Sequence, residues 1–151
     1  MTEICITIPG NPIAKGRPRM TKSGRAYTPV KTRQYENYVR ACAAQSMIGH
    51  KPLTGPLTAR VAAFFDIPAS WPQWKRDAAL DGSMRHTSKP DTDNLVKSAL
   101  DGCAGVVFYN DSSVCHIIAT KGYSTEPRLE IIITKAAGYA SQTTKREYEN
   151  V

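Results

Sequence analysis

Short runs rich in β-branched residues alternate along this chain with helical patterns, and this order predicts a domain built from both strands and helices. Helices are expected at 32–48, about 71–80 and about 91–103, from apolar spacing of three or four residues or from capping patterns. Asn-Asp-Ser-Ser at 110–113 is typical of a hairpin turn, which predicts that the runs on either side of it pair as a β-hairpin. The expected strands are 3–9, 57–67, 106–109, 114–120 and 129–134.

A chain of 151 residues has the usual size of one domain, which we expect over residues 1–135, followed by a polar tail at 136–151. Hydrophobic residues at 41% and charged residues at 22% exclude collagen-like, disulfide-scaffold and wholly disordered proteins. No run reaches the roughly 18 apolar residues of a membrane span, and the amino terminus lacks a signal-peptide pattern. We therefore expect a cytoplasmic protein, and the four scattered cysteines favour reduced thiols over a metal site.

The positive charge of the chain lies almost entirely in its first half. Residues 1–75 contain 11 Lys and Arg against 3 Asp and Glu, whereas residues 76–151 contain 9 against 10. Such an asymmetry predicts a surface that faces a polyanion, with phosphate the obvious partner. Charge alone does not separate DNA from RNA or from an acidic protein.

The basic residues concentrate in a long loop predicted at 14–31, which also holds two glycines and two prolines. Long ordered loops in compact domains are usually functional, although a flexible solubilising segment is the other interpretation. Because the arginine fork suits phosphate oxygens, we expect this loop to contact phosphate. The predicted phosphate contacts are Lys15, Arg17, Arg19, Lys22 and Arg25.

The third predicted helix has one polar and one apolar face. At about 100° per residue, Asp93, Asn94, Lys97 and Asp101 fall on one side. The opposite side is apolar and is expected to be buried, with Leu95, Val96, Ala99, Leu100 and Cys103.

Asp91 stands at the mouth of this helix, and Asp111 follows in the next connection. Crowded carboxylates without nearby His or Cys suit a hard divalent cation such as Mg²⁺ or Mn²⁺, with Lys97 stabilising charge on a reacting phosphate. Structural roles remain open: Asp91 or Asp93 as a helix cap, Asn110-Asp111 as a turn, and Asp101 as an ion-pair partner of Lys97.

The segments PDTDNLVKSALD at 90–101 and FYNDSSV at 108–114 resemble RusA-type Holliday junction resolvases, crossover junction endodeoxyribonucleases common in bacterial and prophage genomes. The resemblance spans most of 3–135, including KGRPR at 15–19, YTP at 27–29 and Lys121. It implies a small α/β (α+β) domain with a mixed β-sheet flanked by helices, and a homodimer. The implied activity is Mg²⁺-dependent paired nicking of four-way DNA junctions.

By position, the metal-binding aspartates of that family fall on Asp91, Asp93 and Asp111, and its catalytic lysine falls on Lys97. Members often carry two adjacent aspartates before the following strand, whereas this chain has Asn110 before Asp111. From the residues alone, two other functions stay open. One is a non-catalytic basic DNA-binding module, and the other is a metal-dependent nuclease acting on RNA or other branched nucleic acids.

Overall fold

The structure, a computed structural model, describes residues 2–138. The α+β class is confirmed, and the predicted strands and helices occur in the expected order except for the strand predicted at 106–109, which does not form. Most of the predicted polar tail at 136–151 lies outside the described residues. The strands are β1 (Glu3–Pro9), β2 (Arg19–Met20), β3 (Ala26–Tyr27), β4 (Leu57–Phe65), β5 (Val114–Tyr123) and β6 (Arg128–Lys135); the helices are α1 (Val30–Ser46), α2 (Gln73–Asp81) and α3 (Thr92–Cys103).

Four strands form a mixed sheet in the order β1-β6-β4-β5. The pairs β1–β6 and β4–β6 are antiparallel, while β4 and β5 run parallel. A parallel pair needs a crossover connection, and the segment holding α2 and α3 supplies it. The carboxyl ends of β4 and β5 therefore lie at the same edge of the sheet, near the amino end of α3.

The hairpin predicted around residues 110–113 is wrong. Val107 and Phe108 are fully buried, and Phe108 forms single bridges with Leu53 and Ala104 instead of a strand. The side chain of Asn110 accepts a hydrogen bond from the backbone N–H of Ser112, which starts a short 3-10 turn rather than a reversal. Burial of this segment in the core therefore overrides its β propensity, and β5 pairs with β4.

The core lies between one face of the sheet and the helices α1 and α3. Strand β1 buries its isoleucines at alternate positions, and β4 and β6 bury alternate side chains on the same face. Helices α1 and α3 pack so closely that a Cβ placed on Gly102 would come within 2.6 Å of Val39 Cβ. No helix within the described residues is long and apolar enough to cross a membrane.

Two local predictions need correction. The basic loop predicted at 14–31 contains a small hairpin, in which Arg19 of β2 pairs with Tyr27 of β3. The helix predicted from about 71 begins at Gln73, because Pro72 takes the N-cap position. Trp74 in this helix is exposed, whereas Trp71 before it packs edge-on against Tyr123.

Candidate active site

The carboxylates of Asp91 and Asp93 are free at the amino end of α3. Asp91 occupies the N-cap position in an extended conformation, yet its side chain makes no capping hydrogen bond. Asp93 lies in the first turn, and both residues are exposed. No ion pair among residues 2–138 engages either carboxylate. The capping role left open by the sequence is therefore not used by Asp91, and both groups are available to bind a ligand.

The two-faced character predicted for α3 is confirmed. Its apolar set is buried throughout, while Lys97 is exposed one turn after Asp93. Ser98 is buried as well, and its hydroxyl is satisfied by donating to the backbone oxygen of Ile13 at 2.9 Å. Helix α3 thus presents Asp93 and Lys97 to solvent, and its buried side fixes the direction in which they point.

Lys121 holds the segment that leads into α3, a role that the sequence did not reveal. Its ammonium donates to the backbone oxygens of Ser88 at 2.8 Å and Pro90 at 2.9 Å. Lys121 pairs with Ala63 across the parallel strands, on the side of the sheet that faces the helices. The backbone immediately before Asp91 is therefore tied to β5.

Replacing Lys121 by Met is expected to lower the free energy of unfolding by about 1 to 2 kcal/mol, because two backbone carbonyls lose a charged donor. Faster amide hydrogen exchange over residues 88–91 should accompany this loss. Lys89→Met, which changes an exposed lysine of the same segment, is the matched control for chemical denaturation and exchange. Equal behaviour of the two variants would contradict the anchoring role.

An open groove of about 680 Å³ lies beside Asp91. Arg17 lines it from the loop after β1, together with residues of the turn that leads into α3. A guanidinium and a carboxylate thus border the same groove. The lining residues are Pro12, Ile13, Ala14, Arg17, Lys89, Pro90, Asp91 and Asn94.

The predicted phosphate contacts fall into two groups. Arg17, Arg19, Lys22 and Arg25 are exposed, and the last three belong to the β2–β3 hairpin or its turn. Lys15 differs from them, because its ammonium is paired with carboxylates of α1 and α3. The hairpin presents its positive charge to solvent, while the ammonium of half-buried Lys15 is held by Glu36 and Asp101.

Asp111 lies away from Asp91 in the folded chain. It starts the 3-10 turn before β5, and Val114 of β5 pairs with Leu57 at the beginning of β4. Asp91 instead follows Pro90, which is held by Lys121 close to the other end of β5. The two carboxylates therefore adjoin opposite ends of the same strand.

The donor chemistry of Asp91 and Asp93 fits a hard divalent cation. Magnesium in proteins is commonly held by one or two carboxylates together with water and substrate phosphate oxygens. Within residues 2–138, no group of three or more Asp, Glu, His or Cys side chains is placed to hold one ion. The chain thus offers a two-carboxylate arrangement, and Asp111 as a third ligand stays a prediction.

His86 is buried near the end of β5, and its Nδ1 has no hydrogen-bond partner among residues 2–138. Its ring stacks on Phe65 at a centroid distance of 4.0 Å and lies 5.2 Å from the ring of Tyr123. Burial lowers the pKa of His86, and the charge of Lys121 lowers it further. The site therefore contains a histidine that stays neutral at a pH where a free histidine is partly charged.

The free energy of unfolding is expected to fall as the pH is lowered from about 7 to about 5. The unfolded chain binds a proton at His86 more readily than the folded chain does, so acid favours unfolding. His86→Phe keeps a stacked ring and should remove this part of the pH dependence, whereas His116→Gln, at an exposed position, should keep it. Urea unfolding at several pH values measures the effect, and parallel profiles for wild type and His86→Phe would contradict it.

Comparison with known proteins gives two matches. A family model described as "Endodeoxyribonuclease RusA" matches residues 9–134. The chain is 34% identical over 142 residues to "Uncharacterized protein YqaN" of Bacillus subtilis (strain 168), an alignment that covers 89% of this chain and 97% of the relative. The region matched by the family model includes the basic loop, α3 and Asp111.

Proposed function

Since the chain belongs to the RusA endodeoxyribonuclease family, we propose that it resolves four-way DNA junctions by paired hydrolysis of two phosphodiester bonds. One observation carries the proposal furthest: among the described residues neither Asp91 nor Asp93 enters an ion pair at the amino end of α3, where Asp91 and Arg17 line the same groove. Hydrolysis of a phosphodiester requires groups that bind the phosphate and groups that stabilise the negative charge developing in the transition state. This arrangement brings both kinds of group to one place.

Each set of residues has its own task in this proposal. Arg17 binds the phosphate next to the one that is cut, and the exposed cations of the β2–β3 hairpin bind the backbone further along the arm. Lys97 stabilises negative charge that develops on the reacting phosphate. Lys121 keeps the backbone before Asp91 in place.

Nucleases of this family are generally dependent on a divalent metal. We propose Mg²⁺ for this chain, with Mn²⁺ as a substitute, held by Asp91 and Asp93. Asp111, the third position of the family set, adjoins the opposite end of β5 in the same chain, so its part in the site requires a second copy of the chain. When bound, such an ion supplies activation of water and neutralisation of phosphate charge. Asn110 stands where family members often have an aspartate, and its side chain accepts a hydrogen bond within the turn before β5. We propose that the carboxylate of the next residue, Asp111, keeps its role in the family set.

A homodimer suits the proposed substrate. A four-way junction must be cut on two strands of like polarity, and two identical sites related by a two-fold axis match that symmetry. Recombination, repair and phage replication produce such junctions in the cytoplasm, and we propose that the protein acts there. We further propose that its gene is of prophage origin. The molar mass measured by light scattering, with and without junction DNA, tests the dimer.

The test of function uses labelled four-way junctions and linear duplexes of the same sequence, each with Mg²⁺ or with EDTA. Paired nicks that need Mg²⁺ and are restricted to the junction are the expected result. Salt-sensitive binding without nicks would favour a non-catalytic DNA-binding module. Cutting of junctions and duplexes at equal rates would leave a nuclease without junction preference.

A further inference from the structure

The loop between β1 and β2, residues 10–18, crosses α3 and is fastened to it at Lys15. The backbone N–H of Lys15 donates to the backbone oxygen of Asn94 at 3.2 Å. Its ammonium contacts Asp101 Oδ2 and lies 3.3 Å from Glu36 Oε1. One residue thus joins the loop to both α1 and α3.

Charge balance keeps the Lys15 ammonium in this place. The side chains of Glu36 and Asp101 are only 16% and 31% exposed, and Lys15 is their shared cation. If Lys15 turned outward to a phosphate, two partly buried carboxylates would be left facing each other, which is a costly arrangement. The hydrogen bond to Asp101 raises the pKa of Lys15, so the ammonium stays charged.

The residues after Lys15 connect this anchored part of the loop to the groove. The backbone N–H of Gly16 donates to Thr32 Oγ1 at 2.9 Å, and a Cβ at Gly16 would lie 2.8 Å from the same oxygen. Arg17 follows directly, is exposed, and lines the groove beside Asp91. The backbone from Lys15 to Gly16 is therefore closely packed, while the side chain of Arg17 is free to bind.

We propose that Lys15 is a positioning residue, which fixes the loop through Asp101 and Glu36 so that Arg17 faces the groove and binds the DNA phosphate. This role replaces the expectation that Lys15 itself contacts phosphate. The inference rests on the proposed function, because it assigns tasks within the surface that binds DNA.

Neutralising Asp101 distinguishes the two roles, because they predict opposite results. A phosphate-binding Lys15 would be released in Asp101→Asn, and the variant would bind a labelled junction more tightly than wild type. A positioning Lys15 loses its anchor, so we expect binding to weaken about fivefold in Asp101→Asn and in Lys15→Met. Lys15→Arg, which can keep both ion pairs, is expected to restore most of the affinity and serves if Lys15→Met fails to fold.

The salt dependence of binding gives a second readout that loss of stability alone would not change. Arg17→Met is expected to lower the slope of log Kd against log salt by about one. The double variant Lys15→Met/Arg17→Met should match Arg17→Met in slope and affinity, because Lys15 acts through Arg17. A further loss of about one unit of slope in the double variant would show a direct phosphate contact by Lys15 and overturn the proposal.

Hydrogen exchange of the free protein tests the anchor without DNA. The backbone amides of residues 13–17 should exchange faster in Lys15→Met and Asp101→Asn than in wild type, and at the wild-type rate in Arg17→Met. Unchanged exchange in Lys15→Met would overturn the anchor whatever the DNA assays show. Failure of the wild-type chain to bind junctions would instead count against the proposed function and leave the exchange result standing.

Discussion

Asp93→Asn is expected to reduce junction cleavage on the order of a thousandfold while junction binding is kept or becomes tighter. The substitution keeps the size of the side chain and removes the charge that the proposed hydrolysis needs. Binding gains because one negative charge near the phosphates disappears. The cost to folding is small, about 0.5 kcal/mol or less, since Asp93 makes no ion pair with any described residue and contributes only its charge at the start of α3.

Single-turnover cleavage and gel-shift binding of the same labelled junction measure the two effects separately. Asp77→Asn is the matched control, because Asp77 is also an exposed helical aspartate but lies on α2. Calorimetric titration with Mn²⁺ adds a readout that does not depend on activity, and weaker metal binding is expected for Asp93→Asn only. Cleavage at the wild-type rate by Asp93→Asn would remove Asp93 from the proposed site.

Gly102→Ala is expected to lower the free energy of unfolding by about 2 to 3 kcal/mol, a large share of the stability of a domain of this size. The added Cβ would come within 2.4 Å of Val39 Cγ1 and 3.3 Å of the backbone oxygen of Glu36. Both neighbours belong to α1, and Val39 is fully buried. The two helices would have to move apart, which would disturb the support of Asp93 and Lys97.

Urea unfolding followed by circular dichroism measures this loss. Gly122→Ala is the control, because a Cβ at that position meets its nearest neighbour, on Phe64, at an ordinary 3.9 Å. Combining Gly102→Ala with Val39→Ala should recover part of the stability, since the smaller side chain makes room for the new methyl group. A double variant that loses the sum of the two single effects would contradict the close contact as the cause.

Local patterns in the sequence predicted most elements of the fold and the central part of the candidate site. The periodicity of α3 placed Asp93 and Lys97 on an exposed face and five apolar residues on a buried one, as the structure shows. Such patterns are reliable because the residues that form one face of a helix or strand are near neighbours along the chain. The catalytic roles of these residues rest on the family and await the experiments above.

Strand pairing did not follow from the local pattern. The runs on either side of Asn110 have the composition of a hairpin, yet Phe108 is buried in the core and β5 joins β4. Propensity describes how well a segment suits a pleated strand and not which strand becomes its partner. That choice depends on what the rest of the chain buries.

Residue types and short spacings thus established the helices, most strands, the basic surface and the aspartates of this protein. Only the tertiary structure shows that Lys15 pairs with Asp101, 86 positions away, and that Lys121 binds the carbonyl of Pro90, 31 positions away. A lysine in a basic loop looks the same in sequence whether it meets phosphate or a carboxylate of its own protein. Its partner is set by which groups packing brings together away from water, because an unpaired charge is costly there.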